Sequence, residues 1–89
     1  MVTGIVLVNV ERQYLNRVIK DILALDGVTE VYAVAGEYDL AVMVRVHDNA
    51  ALSDIVASKM PHDIQGICHT KTLISLAAHS DYNLDEIFG

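Results

Sequence analysis

Residues Ala35-Gly36-Glu37-Tyr38-Asp39 set a glycine, two carboxylates and an aromatic ring between two runs rich in β-branched and apolar residues. Two carboxylates beside a glycine offer acceptors to a small cationic group, and the glycine leaves a stretch of backbone that no side chain screens. The flanking runs, 30–34 and 40–46, read as strands, so Gly36 reads as a hairpin turn rather than a helix cap. The same residues also suit a turn with no ligand, since glycine supplies positive φ and Asp39 can accept backbone N–H bonds. Tyr38 likewise suits an interface aromatic.

Other chemistries find less support. Cys68 and His69 are neighbours on an expected strand, so their side chains point to opposite faces and cannot chelate one ion. His47 and His62 flank the second helix, His79 lies near the end of the chain, and no pair has the i, i+4 spacing of a helical zinc site. No metal and no cofactor are expected. No nucleophile is paired by spacing with a base, and no glycine loop suits a phosphate, so no catalytic residue is expected. His69 with Tyr32 or Asp39 are the only conceivable acid–base groups.

The composition narrows the class. The chain has 89 residues, 53% of them hydrophobic; one domain of this size buries only about 60–65% of the surface its unfolded chain exposes, which favours association. No apolar run approaches the roughly 18 residues of a membrane span, and Met1-Val2-Thr3-Gly4 lacks the basic start of a signal peptide. The lone Cys68 rules out an internal disulfide and fits a reducing compartment. A soluble cytoplasmic protein is expected, with no membrane partner. The formal charge is −6 and the few Lys and Arg residues are scattered, so no direct nucleic-acid binding is expected.

Periodicity supplies the elements that hold the turn. Thr3 to Val10 reads as a strand, and Gln13 to Leu25 as a helix with Tyr14, Leu15, Val18, Ile19, Ile22, Leu23 and Leu25 on its apolar stripe. Gly27 ends it. Val28 to Ala35 and Asp39 to Val46 read as strands two and three. Asp48 or Asn49 caps a second helix with Ala51, Leu52, Ile55, Val56 and Met60 inward, and Pro61 is expected to stop it. A last strand is expected from Ile64 to Leu76.

The two halves read as one unit written twice, since Leu7-Val8-Asn9-Val10-Glu11 parallels Met43-Val44-Arg45-Val46-His47 and Asp26-Gly27-Val28 parallels the Gly66 region. The order is βαββαβ. Right-handed crossovers then place both helices on one face of a four-stranded antiparallel sheet, a ferredoxin-like α+β sandwich of the dimeric α/β-barrel type with strands one and three central. Those central strands carry apolar residues on both faces, Ile5 and Leu7 opposite Val6 and Val8, and Ala41 and Met43 opposite Leu40, Val42 and Val44. Two helices cover one face only, so the other is expected to pack on a second subunit, sheet to sheet.

Taken together, the element order, Val34-Ala35-Gly36-Glu37-Tyr38-Asp39 before an apolar strand, Asp48 to Leu52 at the start of helix two, and Asp26-Gly27-Val28 before strand two resemble a known family. The chain is similar to the effector-binding domain of the leucine-responsive and asparagine-responsive (Lrp/AsnC) transcription regulators, also called the RAM domain. The resemblance covers nearly everything from Thr3 to Leu76, within a domain of residues 1–78; residues 79–89 are a tail. It departs from the family's regulators in beginning at the first strand of the effector domain, without the helix-turn-helix and linker, which resembles the stand-alone members.

That resemblance implies a regulatory module that binds an amino acid where the turn meets strand four and a neighbouring dimer, with Gly36, Glu37, Tyr38, Asp39, Thr70 and Thr72 as its ligand-binding residues. It implies a homo-oligomer, dimers closing into a ring of about eight or ten subunits, and full-length Lrp/AsnC regulators as further partners. A zwitterion needs an acceptor for its ammonium, here Asp39 or Glu37, and donors for its carboxylate, here the N–H groups around Gly36 and the hydroxyls of Thr70 and Thr72. Two other classes compete: a small dimeric ferredoxin-like enzyme of the oxygenase or isomerase type, and a structural partner domain with no ligand.

Overall fold

Alternation along the first strand decides which side of the sheet becomes the core. In the computed structural model, which describes residues 1–79, β1 (Val2–Val10) buries Val6, Val8 and Val10 on one side and leaves Ile5, Leu7 and Asn9 half-buried on the other. After β1 come a 3₁₀ turn (Arg12–Tyr14), α1 (Leu15–Leu23), β2 (Val28–Ala33) and β3 (Leu40–Val46). Then follow α2 (Asn49–Asp54), a π-helical turn (Ile55–Lys59), α3 (Met60–Asp63) and β4 (Ile67–Ile74). The sheet runs β2-β3-β1-β4, all neighbours antiparallel. Strands one and three are therefore central, as a ferredoxin-like βαββαβ order requires.

The covered face is the core. Val6, Val8 and Val10 of β1 and Leu40, Val42 and Val44 of β3 meet Val18 and Ile22 of α1 and Leu52, Ile55 and Met60 from the second helical segment. Each such side chain stabilises the fold by roughly 1.5–3 kcal/mol on burial. Leu23, expected on the α1 stripe, is instead half exposed; one residue past Ile22 it lies about 100° around the helix from the buried face.

The second helix does not stop at Pro61 but continues to Asp63. The Met60 N–H bonds to the carbonyl of Ile55, five residues back, so the turn before the proline is wider than an α-turn. A proline ring clashes with the carbonyl four residues earlier in a regular helix, and the π-turn relieves that clash. Asp48 is the cap, its carboxylate accepting from the Ala51 N–H at 2.8 Å.

The last strand opens at Ile67 rather than Ile64. Ile64 sinks into the core, and Gly66, at φ +105°, turns the chain into β4. A Cβ at Gly66 would stand 2.6 Å from the Cβ of Tyr14, so the tight packing of this turn on the 3₁₀ turn needs glycine. β4 ends at Ile74 rather than Leu76, with the Ser75 N–H closing on the Thr3 carbonyl at 2.9 Å. The tail's apolar residues Tyr82, Leu84, Ile87 and Phe88 lie outside the described residues. Among the described residues no helix is long and apolar enough to cross a membrane.

The other face of the sheet carries no helix. Ile5, Leu7, Ala41 and Met43 form its half-buried apolar centre, and Leu73 and Tyr32 are 44% and 51% exposed. A polar network borders it: Arg45 donates to the Thr29 hydroxyl at 2.9 Å and pairs with Glu30 at 3.5 Å, while the Tyr32 hydroxyl donates to Glu30. The Tyr32 hydrogen bond holds the Glu30 carboxyl below its ordinary 4.5, with Arg45 adding to it against a partial loss of hydration. The Glu30 carboxylate in turn pushes the Tyr32 hydroxyl above 10.0.

Candidate functional site

Six residues, Val34 to Asp39, join β2 to β3, and the end of β1 holds them in place. The turn closes at its base through the Val34 N–H on the Asp39 carbonyl at 2.9 Å. Asp39 then reaches sideways to the central strand twice: its N–H donates to the Val8 carbonyl at 2.9 Å, and its Oδ2 accepts from the Val10 N–H at 2.8 Å. Asn9, between those two residues, points to the open face and donates from Nδ2 to the Glu37 carbonyl at 2.8 Å. Among the described residues that is the one hydrogen bond that anchors the turn's interior, Ala35 to Tyr38.

Gly36 sits at φ +127°, a conformation that L side chains rarely adopt, and a Cβ built there would meet nothing within 4 Å. The glycine is thus required by backbone conformation and not by crowding. Its exposed peptide groups are open to approach. Glu37 and Asp39 are exposed and Tyr38 is half-buried.

A cavity of about 340 Å³ lies beside the turn, lined by Val10, Arg12, Leu15, Ala33, Val34 and Asp39. Its volume is at the low end of small-molecule sites, roughly 300–1,000 Å³. Two other hollows differ in chemistry. A cleft of about 360 Å³ at the far end of β3 is lined by Arg45 and Lys59, but these already pair with Glu30 and Asp54. A groove of about 240 Å³ between the second helix and β4 has no charged lining residue.

Of the six residues singled out from the sequence, the fold brings four together in the turn, and Asp39 alone of them lines its cavity. Thr70 and Thr72 lie elsewhere in the protomer. They pair with Val8 and Val6 of β1, so they share the helix-covered side of the sheet, and β1 separates β4 from β3. Thr72 opens onto the groove beside the second helix. Sequence reasoning missed Asn9, Arg12 and Leu15. They sit 19 to 25 positions before the turn's first residue, at the end of β1 and in the helical turns after it, and only the folded packing of these elements reveals that they border it. Among the described residues no group of three or more His, Cys, Asp or Glu could hold a metal.

With this geometry in place, comparison with known proteins is informative. The family model for the Lrp/AsnC ligand binding domain matches residues 3–84. The crystal structure of TTHA0845 from Thermus thermophilus is 32% identical, with a TM-score of 0.83 over 90% of this chain and 99% of that one. AsnC of E. coli is 24% identical, with a TM-score of 0.82 over 92% of this chain and 55% of that one. The transcriptional regulator NMB0573 of Neisseria meningitidis, solved as an L-Met complex, is 15% identical, with a TM-score of 0.79 over 98% of this chain and 59% of that one. No curated protein sequence matches.

Proposed function

The chain belongs to the Lrp/AsnC ligand-binding domain family, and from that premise we propose that it is a regulatory module whose effector is an amino acid bound at the Val34–Asp39 turn. The observation that carries this reading is Asp39, whose carboxylate lines a cavity of suitable size while only one of its oxygens is engaged, by the Val10 N–H. An ionised carboxylate offers about four lone-pair sites, so an ammonium group can be accepted without breaking the fold's own bond. The unscreened backbone at Gly36 supplies N–H donors for the ligand carboxylate. That NMB0573 was solved with L-Met gives an amino-acid ligand a precedent on this fold.

Thr70 and Thr72 enter the proposal through a second copy, because within one protomer they lie beyond β1. Copies associate sheet to sheet through Ile5, Leu7, Ala41 and Met43, and dimers then join as a ring of about eight or ten subunits so that the turn of one faces β4 of another. Glu37 and Tyr38, at the outer bend, contribute at that contact. Ligand at such a junction alters assembly through its differential affinity for the joined state, and a ring of this kind offers full-length Lrp/AsnC regulators a surface with which to mix. No catalytic step is part of the proposal. Isothermal calorimetry of the purified chain against the twenty amino acids tests it: saturable binding of one or a few supports the sensor, and no heat with any of them removes it.

A further inference from the structure

We infer that the groove between the second helix and β4 is the docking site of this chain's own segment from Tyr82 to Phe88. The inference is independent of the amino-acid site. Sheet coverage creates the groove: α1 packs over β2, and α2 packs over β3 and β1, which leaves β4, at the sheet edge, only partly covered. Thr72 and Ile74 pair with Val6 and Gly4 of β1 and so face the helix side there. With Leu52 and Val56 they line a hollow of about 240 Å³. Ile74 is 51% exposed and Leu76, two residues on, is 97% exposed. An apolar hollow thus opens where the described chain leaves the sheet.

Size, charge and tether point to this occupant. The volume falls below the roughly 300–1,000 Å³ of small-molecule sites, which suits inserted side chains better than a free ligand. No lining residue is charged, and Asn49, Ser53 and Thr72 offer neutral hydrogen bonds to a peptide main chain. The segment supplies the apolar bulk, because Tyr82, Leu84, Ile87 and Phe88 fall within seven positions, unlike the composition of a solvated tail. Leu84, Ile87 and Phe88 stand at i, i+3 and i+4, a spacing that sets all three on one stripe, with Asp85 and Glu86 outside it. Reach is sufficient. Residues 75–81 span at most about 25 Å when extended, whereas the strand lip from Thr72 to Ile74 is about 7 Å long and the helix lip from Asn49 to Ala57 about 12 Å. The chain already bends after β4, with the Ser75 hydroxyl donating to the Ala77 carbonyl at 3.4 Å. So short a tether holds the segment at roughly millimolar effective concentration, ahead of any dilute free partner. Once docked it covers the Thr72 hydroxyl, so a neighbour's turn reaches that group only when the segment leaves.

Phe88 is the chain's one phenylalanine, so labelling the full chain with 4-fluorophenylalanine gives a single fluorine resonance from the segment. That resonance is expected to lie away from its position in urea, and to move back toward it in Ala57→Glu, which sets bulk and charge into the groove at an exposed residue. A wild-type resonance at the urea position overturns the inference, as does a displaced one that Ala57→Glu leaves in place. Disulfide trapping reads the same contact without that substitution. In a Cys68→Ser background, Ser53→Cys with Asp85→Cys should oxidise within one chain much faster than Lys20→Cys with Asp85→Cys, position 20 being exposed on α1 and outside the groove. At a chain concentration of about 10 μM, the bond within one chain should exceed that between chains about a hundredfold, the ratio of the millimolar effective concentration to the free one. Equal rates from positions 53 and 20 overturn the inference. A bond from 53 to 85 formed mainly between chains also overturns it and assigns the groove to the segment of a second copy.

Discussion

The carboxylate of Asp39 accepts a hydrogen bond from the backbone N–H of Val10 at 2.8 Å, so the residue that faces the cavity also fastens the β2–β3 turn to the central strand. Structural and binding roles of Asp39 can therefore be separated by chemistry. Asparagine keeps a carbonyl oxygen for the Val10 N–H and loses the charge; alanine loses both. Asp39→Asn should unfold within about 0.5 kcal/mol of wild type, Asp39→Ala about 1–2 kcal/mol sooner, and both should lose at least tenfold in amino-acid affinity. Urea unfolding and calorimetry on the two variants give the four numbers required.

Asn9 should prove to be the turn's clamp. Removing its bond to the Glu37 carbonyl (Asn9→Ala) costs about 0.5–1 kcal/mol, as expected of an exposed neutral hydrogen bond. Hydrogen exchange should accelerate at the Val34 and Asp39 amides, which close the turn and tie it to β1. Amides of β4 should be unchanged; uniform acceleration would mean that Asn9 supports the whole sheet instead.

Glycine replacements should rank by space as well as by φ. Gly36→Ala meets no atom within 4 Å, so its cost is that of backbone conformation alone, about 1–2 kcal/mol. Gly66→Ala adds a collision with Tyr14 at 2.6 Å to a φ of +105° and should cost about 2–4 kcal/mol. In a domain of this size each kcal/mol lowers the melting temperature by roughly 4–8 °C, so thermal unfolding resolves the order.

The uncovered sheet face should determine mass in solution. Light scattering is expected to give a multiple of the 9.8 kDa chain mass. Leu7→Asp, at the centre of that face beside Ala41, should lower the mass while leaving the circular dichroism of the helices intact, because the substitution does not touch the opposite, helix-packed face. A wild-type chain that scatters as a monomer at micromolar concentration would contradict the sheet-to-sheet contact.

The Glu30–Tyr32 pair predicts a pH signature. Glu30 titrates below 4.5 in the folded chain, so its bond contributes stability that is complete above the unfolded value and is lost as pH falls through the lowered one. Tyr32 titrates above 10.0, so its contribution is complete below that value and is lost as pH rises through the raised one. Tyr32→Phe should return the Glu30 carboxyl toward 4.5 in a carbon-detected NMR titration, with Arg45 at 3.5 Å retaining the remainder of the shift.

Much of this architecture was legible in the sequence because the signals were local. Alternation along β1 and β3 revealed both the strands and their double-sided apolarity, and Gly36 between two β-branched runs marked the turn. What could not be read locally went astray in identifiable ways. Pro61 is a helix stop by its own chemistry, and only the preceding π-turn overrides it. Ile64 looks like a strand residue until Gly66 is seen to need the turn before β4. The site was half legible: Asp39 and Gly36 announce themselves, whereas Asn9 at the end of β1 and Arg12 in the 3₁₀ turn reach the turn through tertiary contacts that no local pattern encodes. Thr70 and Thr72 were named from family resemblance, and the strand order, with β1 between β4 and β3, places them away from the turn within one protomer.

A thermal-shift comparison of wild type and Asp39→Asn against the twenty amino acids bears most directly on the central claim, that the turn binds an amino acid through Asp39. A ligand that binds only the folded state stabilises it by roughly 2.7 kcal/mol at a hundredfold excess over its dissociation constant. The expected result is a rise in melting temperature with one or a few amino acids for wild type and little or none for Asp39→Asn, at similar unliganded stability. Equal rises in both proteins, or none in wild type, would contradict it.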